Sequence, residues 1–255
     1  MITQNDLSKT ASDPSKVVLV TGAAQRIGAA IATALHRRGH RVLLHYRSSS
    51  AARDLAERLN RERSDSAHAL QADFCSDGEI ARLARDALQR WGRLDALINN
   101  ASTYFPTPLQ RATAEEWNTL FDSNVRGPYF LTQAVLPALR AQRGCVINLL
   151  DIHAEKPEPQ HSLYCMAKAA LAMMTKSLAL DLRGEVRVNG IAPGAILWPS
   201  HEVLNEAEKS ALLDRIPQRS LGTPDDIART ALFLLDDAPY INGQIIAVDG
   251  GLSLN

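Results

Sequence analysis

Cysteine is scarce in this chain: Cys75, Cys145 and Cys165 are the only three in 255 residues, and they fall in neither a CxxC nor any other metal-ligand spacing. A disulfide framework and a metal centre are therefore not expected, and an odd, dispersed set of thiols suits a reducing compartment. Neither sign of charge is in excess, with 28 Lys plus Arg against 28 Asp plus Glu, and the basic residues are scattered. Nucleic acid and anionic membrane surfaces are thus poor partners, and a small molecule is the better one. No run of about 18 apolar residues occurs, since Lys176 and Asp181 interrupt the most apolar stretch, so no membrane span is expected. Residues 1–15 are polar and lack the apolar centre of a signal peptide, which makes them a flexible tail and the expected location cytoplasmic. No Gly-rich or Pro-rich linker divides residues 16–255, so a single domain is expected there.

What the sequence does have is alternation. Short apolar runs at residues 16–21, 41–46, 67–72, 94–99, 145–150, 186–191 and 244–248 read as buried strands. Between them lie segments of helical periodicity, among them 26–38, 51–63, 77–91 and 114–142. Seven strands separated by helices imply a parallel sheet covered on both faces, a doubly wound α/β fold of Rossmann type. The stretch 195–222 is a longer excursion and is expected to cover a substrate.

The first strand runs into Thr21-Gly-Ala-Ala-Gln-Arg-Ile-Gly28 and then a helix. Gly22 permits a tight turn and Gly28 lets helix and strand pack closely. Gln25, Arg26 and Ile27 lie at a helix N-terminus, whose N–H groups suit a pyrophosphate. Arg26 stands where dinucleotide folds often carry a third glycine, and a cation in a first helical turn is unfavourable unless an anion joins it. The second strand ends in His45, Tyr46, Arg47 and Ser48, without the acid that commonly binds a ribose 2'-hydroxyl. An imidazole, a guanidinium and hydroxyls suit a 2'-phosphate instead, so NADPH is the expected cofactor; Ser48–Ser50 are also natural caps for the next helix. Ala72, Asp73 and Phe74 at the end of the third strand, and Asn100, Ala101 and Ser102 at the end of the fourth, complete the expected cofactor contacts.

Tyr164 and Lys168 are four residues apart among good helix formers, which puts both on one helical face. An ammonium one turn from a phenol is expected to lower its pKa and so tune it for proton exchange beside a carbon that takes hydride. Asn124, a weak helix former in an apolar stretch, is expected to be buried and to hold a water relay beside Lys168. His153 and His161 flank the catalytic stretch and are expected to be ordinary loop histidines.

Taken together, TGAAQRIG, the Asn-Asn-Ala-Ser run at 99–102, Asn124, the Tyr164–Lys168 pair, and Pro193 and Gly194 resemble the short-chain dehydrogenase/reductase family from about residue 16 onward. The resemblance implies that Tyr164 is the acid/base, that Lys168 tunes it and holds the nicotinamide ribose, that Asn124 keeps a water relay, and that the protein is a homotetramer. One position departs from the pattern: Asp151 stands where the family usually has a serine donating to a substrate carbonyl. A carboxylate would repel a developing oxyanion and suits a substrate that offers N–H groups or takes a proton on nitrogen. Arg26, the His-Tyr-Arg-Ser-Ser strand end, the segment 99–108 and Asp151 are similar to the pteridine reductase branch. That likeness implies reduction of dihydropterin, and also of oxidised pterin or dihydrofolate, with Arg26, Ser102, Tyr104, Asp151, Tyr164 and Trp198 around the substrate and Tyr104 stacking on it. The carboxyl terminus lacks the arginine that some members send into a neighbouring site. A generic carbonyl reductase, such as a 3-oxoacyl reductase, and a non-catalytic dinucleotide sensor are the alternatives.

Overall fold

The structure, a computed structural model, describes residues 15–76, 78–197 and 205–255. Most of the expected polar tail, together with Trp198 and His201, lies outside the described residues. Seven strands form one parallel sheet in the order β3-β2-β1-β4-β5-β6-β7: β1 Val17–Val20, β2 Arg41–Tyr46, β3 Ala67–Gln71, β4 Ala96–Asn99, β5 Cys145–Leu149, β6 Arg187–Pro193 and β7 Ile245–Val248. The chain reverses its winding between β1 and β4, which sit side by side with Val18 opposite Ala96 and Val20 opposite Ile98. This crevice at the carboxyl ends of the strands is where doubly wound folds bind ligands.

The side chains of β1 divide alternately between two cores, because neighbours on a strand point to opposite faces. Val18 and Val20 join Ile31 and Leu35 of α1 (Arg26–Arg37), Leu55 and Leu59 of α2 (Ala51–Glu62) and Ile227 of α8 (Pro224–Leu232). Val17 and Leu19 join Leu83 and Ala87 of α3 (Glu79–Trp91), Leu131 and Val135 of α5 (Gly127–Ala141) and Ala179 of α6 (Ser162–Asp181). Each fully buried leucine or isoleucine of these clusters contributes about 2 kcal/mol of transfer free energy.

The single helix expected over 114–142 is interrupted. α4 (Ala114–Phe121), opened by a Thr113–Glu116 capping box, passes into a π-turn at Asp122–Arg126 before α5 begins. A Cβ at Gly127 would fall 2.4 Å from the Phe74 ring, so the chain passes Phe74 too closely for any larger residue.

α6 satisfies the length and composition of a membrane-crossing helix, with a mean hydropathy of 1.2, although it carries Lys168, Lys176 and Asp181. It packs against β6 and the π-turn, and buries Leu163, Tyr164, Lys168 and Leu171. The excursion after β6 leaves and returns at one place: Ile196 bridges Gly222, and Gly222 N–H donates to Ala195 O at 3.0 Å. Within it lies α7 (Glu206–Arg215), opened by an Asn205–Glu208 capping box and burying none of its residues.

Candidate active site

Two clefts meet at the switch between β1 and β4. One, of about 530 Å³, runs past Gly22, Gln25, His45–Ser49, Ala72–Cys75 and Ala101–Thr103. The other, of about 800 Å³, is lined by Arg26, Tyr104, Asp151, Tyr164, Lys168 and Gly194, with Ile27, Gly28, Asn100, Ser102 and Pro193 also on its wall.

The first cleft is shaped by backbone geometry. Gly22 has φ +63°, and a Cβ there would lie 2.8 Å from Ala101 Cα; at Gly28 it would lie 2.3 Å from Gly22 O. Only glycine fits either place. The Asn100 amide donates to the carbonyls of Thr21 and Gly22, and Thr21 Oγ accepts from the N–H groups of Asn100 and Ala101. These bonds tie β4 to the turn. α1 follows with Gln25 as N-cap, making no side-chain cap bond, and with no acid in its first turn. Arg26, its first residue, sits at φ +51°, the left-handed conformation that ordinarily calls for glycine.

His45 departs from expectation. It is 3 % exposed, its Nδ1 accepts from Gly22 N–H at 3.2 Å, its Nε2 lies 3.0 Å from Ala72 O, and its ring stacks on Phe74. Both nitrogens are satisfied only in the neutral Nε2–H form, and burial pulls its pKa down to about 4. His45 therefore braces the turn and is no cation for a 2'-phosphate. Its position in a strand buried from Val42 to Tyr46 is the signal that a core role was to be expected. Tyr46 is also buried, its hydroxyl accepting from Arg53 Nε at 2.6 Å, while Arg47 and Ser48 remain at the cleft wall. Asp73 lies two residues beyond β3, and its carboxylate accepts from Cys75 N–H. Ser50 caps α2 without a side-chain bond, and Ser49 Oγ accepts from Ala51 N–H at 3.3 Å.

In the second cleft the Tyr164 hydroxyl donates to Asp151 Oδ2 at 2.8 Å. Asp151 leads a short 3-10 turn, its other oxygen accepting from His153 N–H at 3.0 Å, so both carboxylate oxygens are fixed. Lys168 is buried, donates to Leu149 O at 2.9 Å, and stands 5.6 Å from the centre of the Tyr164 ring. The expected lowering of the phenol pKa does not occur in this arrangement. Burial first, and then the Asp151 charge, hold Tyr164 well above its ordinary value, and burial brings Lys168 down to about 8. Tyr164 is thus held as a protonated donor.

Asn124 lies in the π-turn, 1 % exposed, and its side chain is committed: Oδ1 accepts from Ser102 Oγ at 2.7 Å, and Nδ2 donates to the carbonyls of Thr103 and Leu120. It fixes Ser102 and makes no side-chain bond to Lys168 among the described residues. Tyr104 stands edge-on to Tyr164, with ring centres 4.8 Å apart, and one of its faces is stacked on His161 at 4.5 Å. Sequence reasoning missed the buried amide ladder in which Asn99 donates to Asn148 at 2.8 Å and Asn148 donates to Thr175 at 2.9 Å, joining β4, β5 and α6 beneath the site. It also missed how near His153 lies to Asp151.

A nicotinamide dinucleotide fits this donor set. Gly22, Gly28 and the open first turn of α1 suit a pyrophosphate, and Lys168 is a buried ammonium with three donors and one protein acceptor among the described residues, leaving bonding capacity for a ribose.

Over residues 22–253 the chain matches the family described as Enoyl-(Acyl carrier protein) reductase. It is 36 % identical to Pteridine reductase 1 of Leishmania tarentolae, over 96 % of this chain and 99 % of that one. It is 34 % identical to the 3-oxoacyl-[acyl-carrier-protein] reductase FabG of Staphylococcus epidermidis, over 93 % and 99 %, and 35 % identical to the 3-oxoacyl-[acyl-carrier-protein] reductase of Synechocystis sp., over 93 % and 97 %. Reductases of these kinds use NAD(P)H. With the glycine turn, the Tyr164–Lys168 helix and the seven-stranded parallel sheet in place, the chain belongs to the short-chain dehydrogenase/reductase family of oxidoreductases.

Proposed function

We propose that the protein is an NADPH-dependent reductase of pterins, converting a dihydropterin to the tetrahydro form. The observation that carries this reading is the carboxylate of Asp151 at 2.8 Å from the Tyr164 hydroxyl. A carbonyl substrate needs a donor at that position to stabilise its developing oxyanion, whereas a pterin presents ring N–H groups and a nitrogen to be protonated. When bound, the reduced nicotinamide supplies a hydride to a substrate ring carbon. The Tyr164 hydroxyl gives the adjoining nitrogen its proton, so one hydride and one proton are added, and Asp151 stands next to the phenolate that results. Tyr104 offers an aromatic face, Arg26 a cation for the pyrophosphate and the pterin, and Ser102 a hydroxyl held by Asn124.

For the cofactor, Arg47 and Ser48 supply the recognition of a 2'-phosphate without His45. The segment 195–222, with α7 and its Glu208, Leu212 and Arg215 on the cleft wall, covers the substrate. Met166, Met173 and Leu180 on α6 and Tyr129 and Phe130 on α5 are exposed large apolar side chains, which suits burial against further copies of this chain in a tetramer. Sedimentation as a monomer at micromolar concentration would remove that assembly.

Reduction of 3-oxoacyl groups is the competing reading, since relatives bearing that name are about as similar. The two separate on one variant, with NADPH oxidation followed on dihydrobiopterin, dihydrofolate and a 3-oxoacyl thioester. Asp151→Ser should lose most dihydropterin turnover and keep NADPH binding, and carbonyl turnover should persist or rise. Full pterin turnover by Asp151→Ser across the pH range would sink the reading.

A further inference from the structure

Two residues at the start of α6 touch Tyr104. Its ring is stacked on His161, with centres 4.5 Å apart and planes 7° from parallel, and it meets the Tyr164 ring at 84° with centres 4.8 Å apart. His161 is the N-cap of α6 and Tyr164 stands three residues further on, so both face one side of the first helical turn. The imidazole is itself fixed. Its Nδ1 donates to Pro159 O at 2.8 Å, and Gln160 before it takes φ +62°, a left-handed conformation uncommon outside glycine. The loop that carries Tyr104 is tied to the same place: Thr107 N–H donates to Gln160 O at 2.6 Å, Phe105 packs against Leu120, Leu163 and Tyr164, and Thr103 is bonded to Ser123 and Asn124. Tyr104 is 56 % exposed and lines the cleft of about 800 Å³, whereas His161 is not on that wall. The imidazole therefore backs the Tyr104 ring from outside the cleft.

We infer that His161 is a positioning residue for substrate binding: it holds the Tyr104 ring in one plane, so that the site selects flat ring systems over linear chains. The inference rests on the reading of Tyr104 as the aromatic face on which a pterin stacks. A ring carried on a loop and more than half exposed turns about its side-chain bonds, and a substrate that stacks on it must first immobilise it. The His161 stack removes that cost, because the ring already has its plane before substrate arrives. Since His161 and Tyr164 share one turn of one helix, the plane is also set relative to the phenol that gives the proton. A flat bicyclic substrate gains from this over its whole face, whereas a linear acyl chain has no face to stack. Removing the imidazole lets the Tyr104 ring turn while Tyr164 and Lys168 stay in place, so the loss falls on binding rather than on the chemical step. His161 makes no side-chain capping bond, so α6 loses no cap with it.

The test uses the full-length protein, with NADPH oxidation followed on dihydrobiopterin. His161→Ala should raise KM for dihydrobiopterin about fivefold, the worth of one aromatic pair, with kcat reduced much less. His161→Phe, which keeps a flat ring without ring nitrogens, should bring KM back to within about twofold of the parent. In a Tyr104→Leu background His161→Ala should add nothing further, because the ring it positions is gone. A readout without substrate accompanies these: in the ligand-free protein the His161 ring protons, observed by NMR, should lie upfield through the ring current of Tyr104 and move downfield in Tyr104→Leu. An unchanged KM in His161→Ala, no recovery in His161→Phe, a full His161→Ala penalty in the Tyr104→Leu background, or His161 signals indifferent to Tyr104→Leu would each overturn the inference. If the parent protein reduces no dihydropterin, the proposed substrate fails on its own. The kinetic arms then run on isatin, a flat bicyclic ketone, against a linear 3-oxoacyl thioester: a KM raised on isatin alone sustains the inference, and an equal change on both overturns it.

Discussion

The two clefts use polar groups in opposite ways. Around the glycine turn nearly every one is bonded to the protein itself: Asn100 and Thr21 clamp the turn, and His45 braces it from below with both ring nitrogens. Around Asp151 and Tyr164 the partners among the described residues are few, one protein acceptor for the Lys168 ammonium and one for the Tyr164 hydroxyl. In the first region polar chemistry builds a rigid shape that presents backbone to a ligand. In the second it stores bonding capacity and poises protons. Polarity alone therefore does not mark a reacting group; the number of its bonds already closed within the protein does.

Breaking the catalytic corner should have the largest effect and leave the cradle untouched. Tyr164→Phe should lower kcat by about three orders of magnitude while NADPH still binds, as fluorescence titration of the cofactor would report. An equal loss of cofactor affinity would mean that the two regions are not separable. The cradle has its own weakness, on the acid side. His45 has an ordinary pKa of 6.5 and a folded value of about 4, so between those pH values the unfolded chain binds more protons than the folded one. Stability should therefore fall as pH drops through that window, by up to about 3 kcal/mol. The melting temperature followed from pH 7 to pH 4 should fall less steeply in His45→Gln; parallel curves would deny His45 that role.

A smaller effect separates cofactor shape from cofactor charge. Arg47→Asp should reduce the preference for NADPH over NADH by about one to two orders of magnitude in kcat/KM, through loss of an ion pair to the 2'-phosphate, without changing the melting temperature. The smallest concerns Arg26, where the two clefts meet. Its left-handed backbone costs about 1 kcal/mol in any residue with a side chain, so Arg26→Gly should be as stable as the parent or more so while binding NADPH more weakly. A destabilised Arg26→Gly would show that the side chain holds the fold rather than the ligand.

Much of this was legible beforehand because it follows from local pattern. β2 spans the six residues its apolar run marks, and the other strands differ from their expected ends by one or two residues. The Tyr164–Lys168 spacing did place both side chains in one cleft, where Asp151 also stands. What escaped was decided by distant parts of the chain. Nothing near Asn124 announces a π-turn, nor that Gly127, which follows it, passes close to the Phe74 ring from a distant part of the chain. His45 looked like a phosphate ligand by residue type and proved to be core, since burial by neighbouring elements overrides what an imidazole can do in water. His153 reached Asp151 because a 3-10 turn folded two residues back on one.

The bridge between Ile196 and Gly222 has a bearing on how such a protein could change over generations. A segment whose two ends are fastened to one another closes its own loop, and the entropy of closure grows only slowly with length, about 0.6 kcal/mol per doubling. Inside that fastening the segment is anchored again where Ile216 packs with Ile152 and Leu252 and Gln218 N–H donates to Gly250 O at 3.1 Å. Changes of length ahead of Ile216 can thus alter which molecules are admitted while that anchor and the cradle stay as inherited, and a library randomised in length there is a natural starting point for redirecting the enzyme.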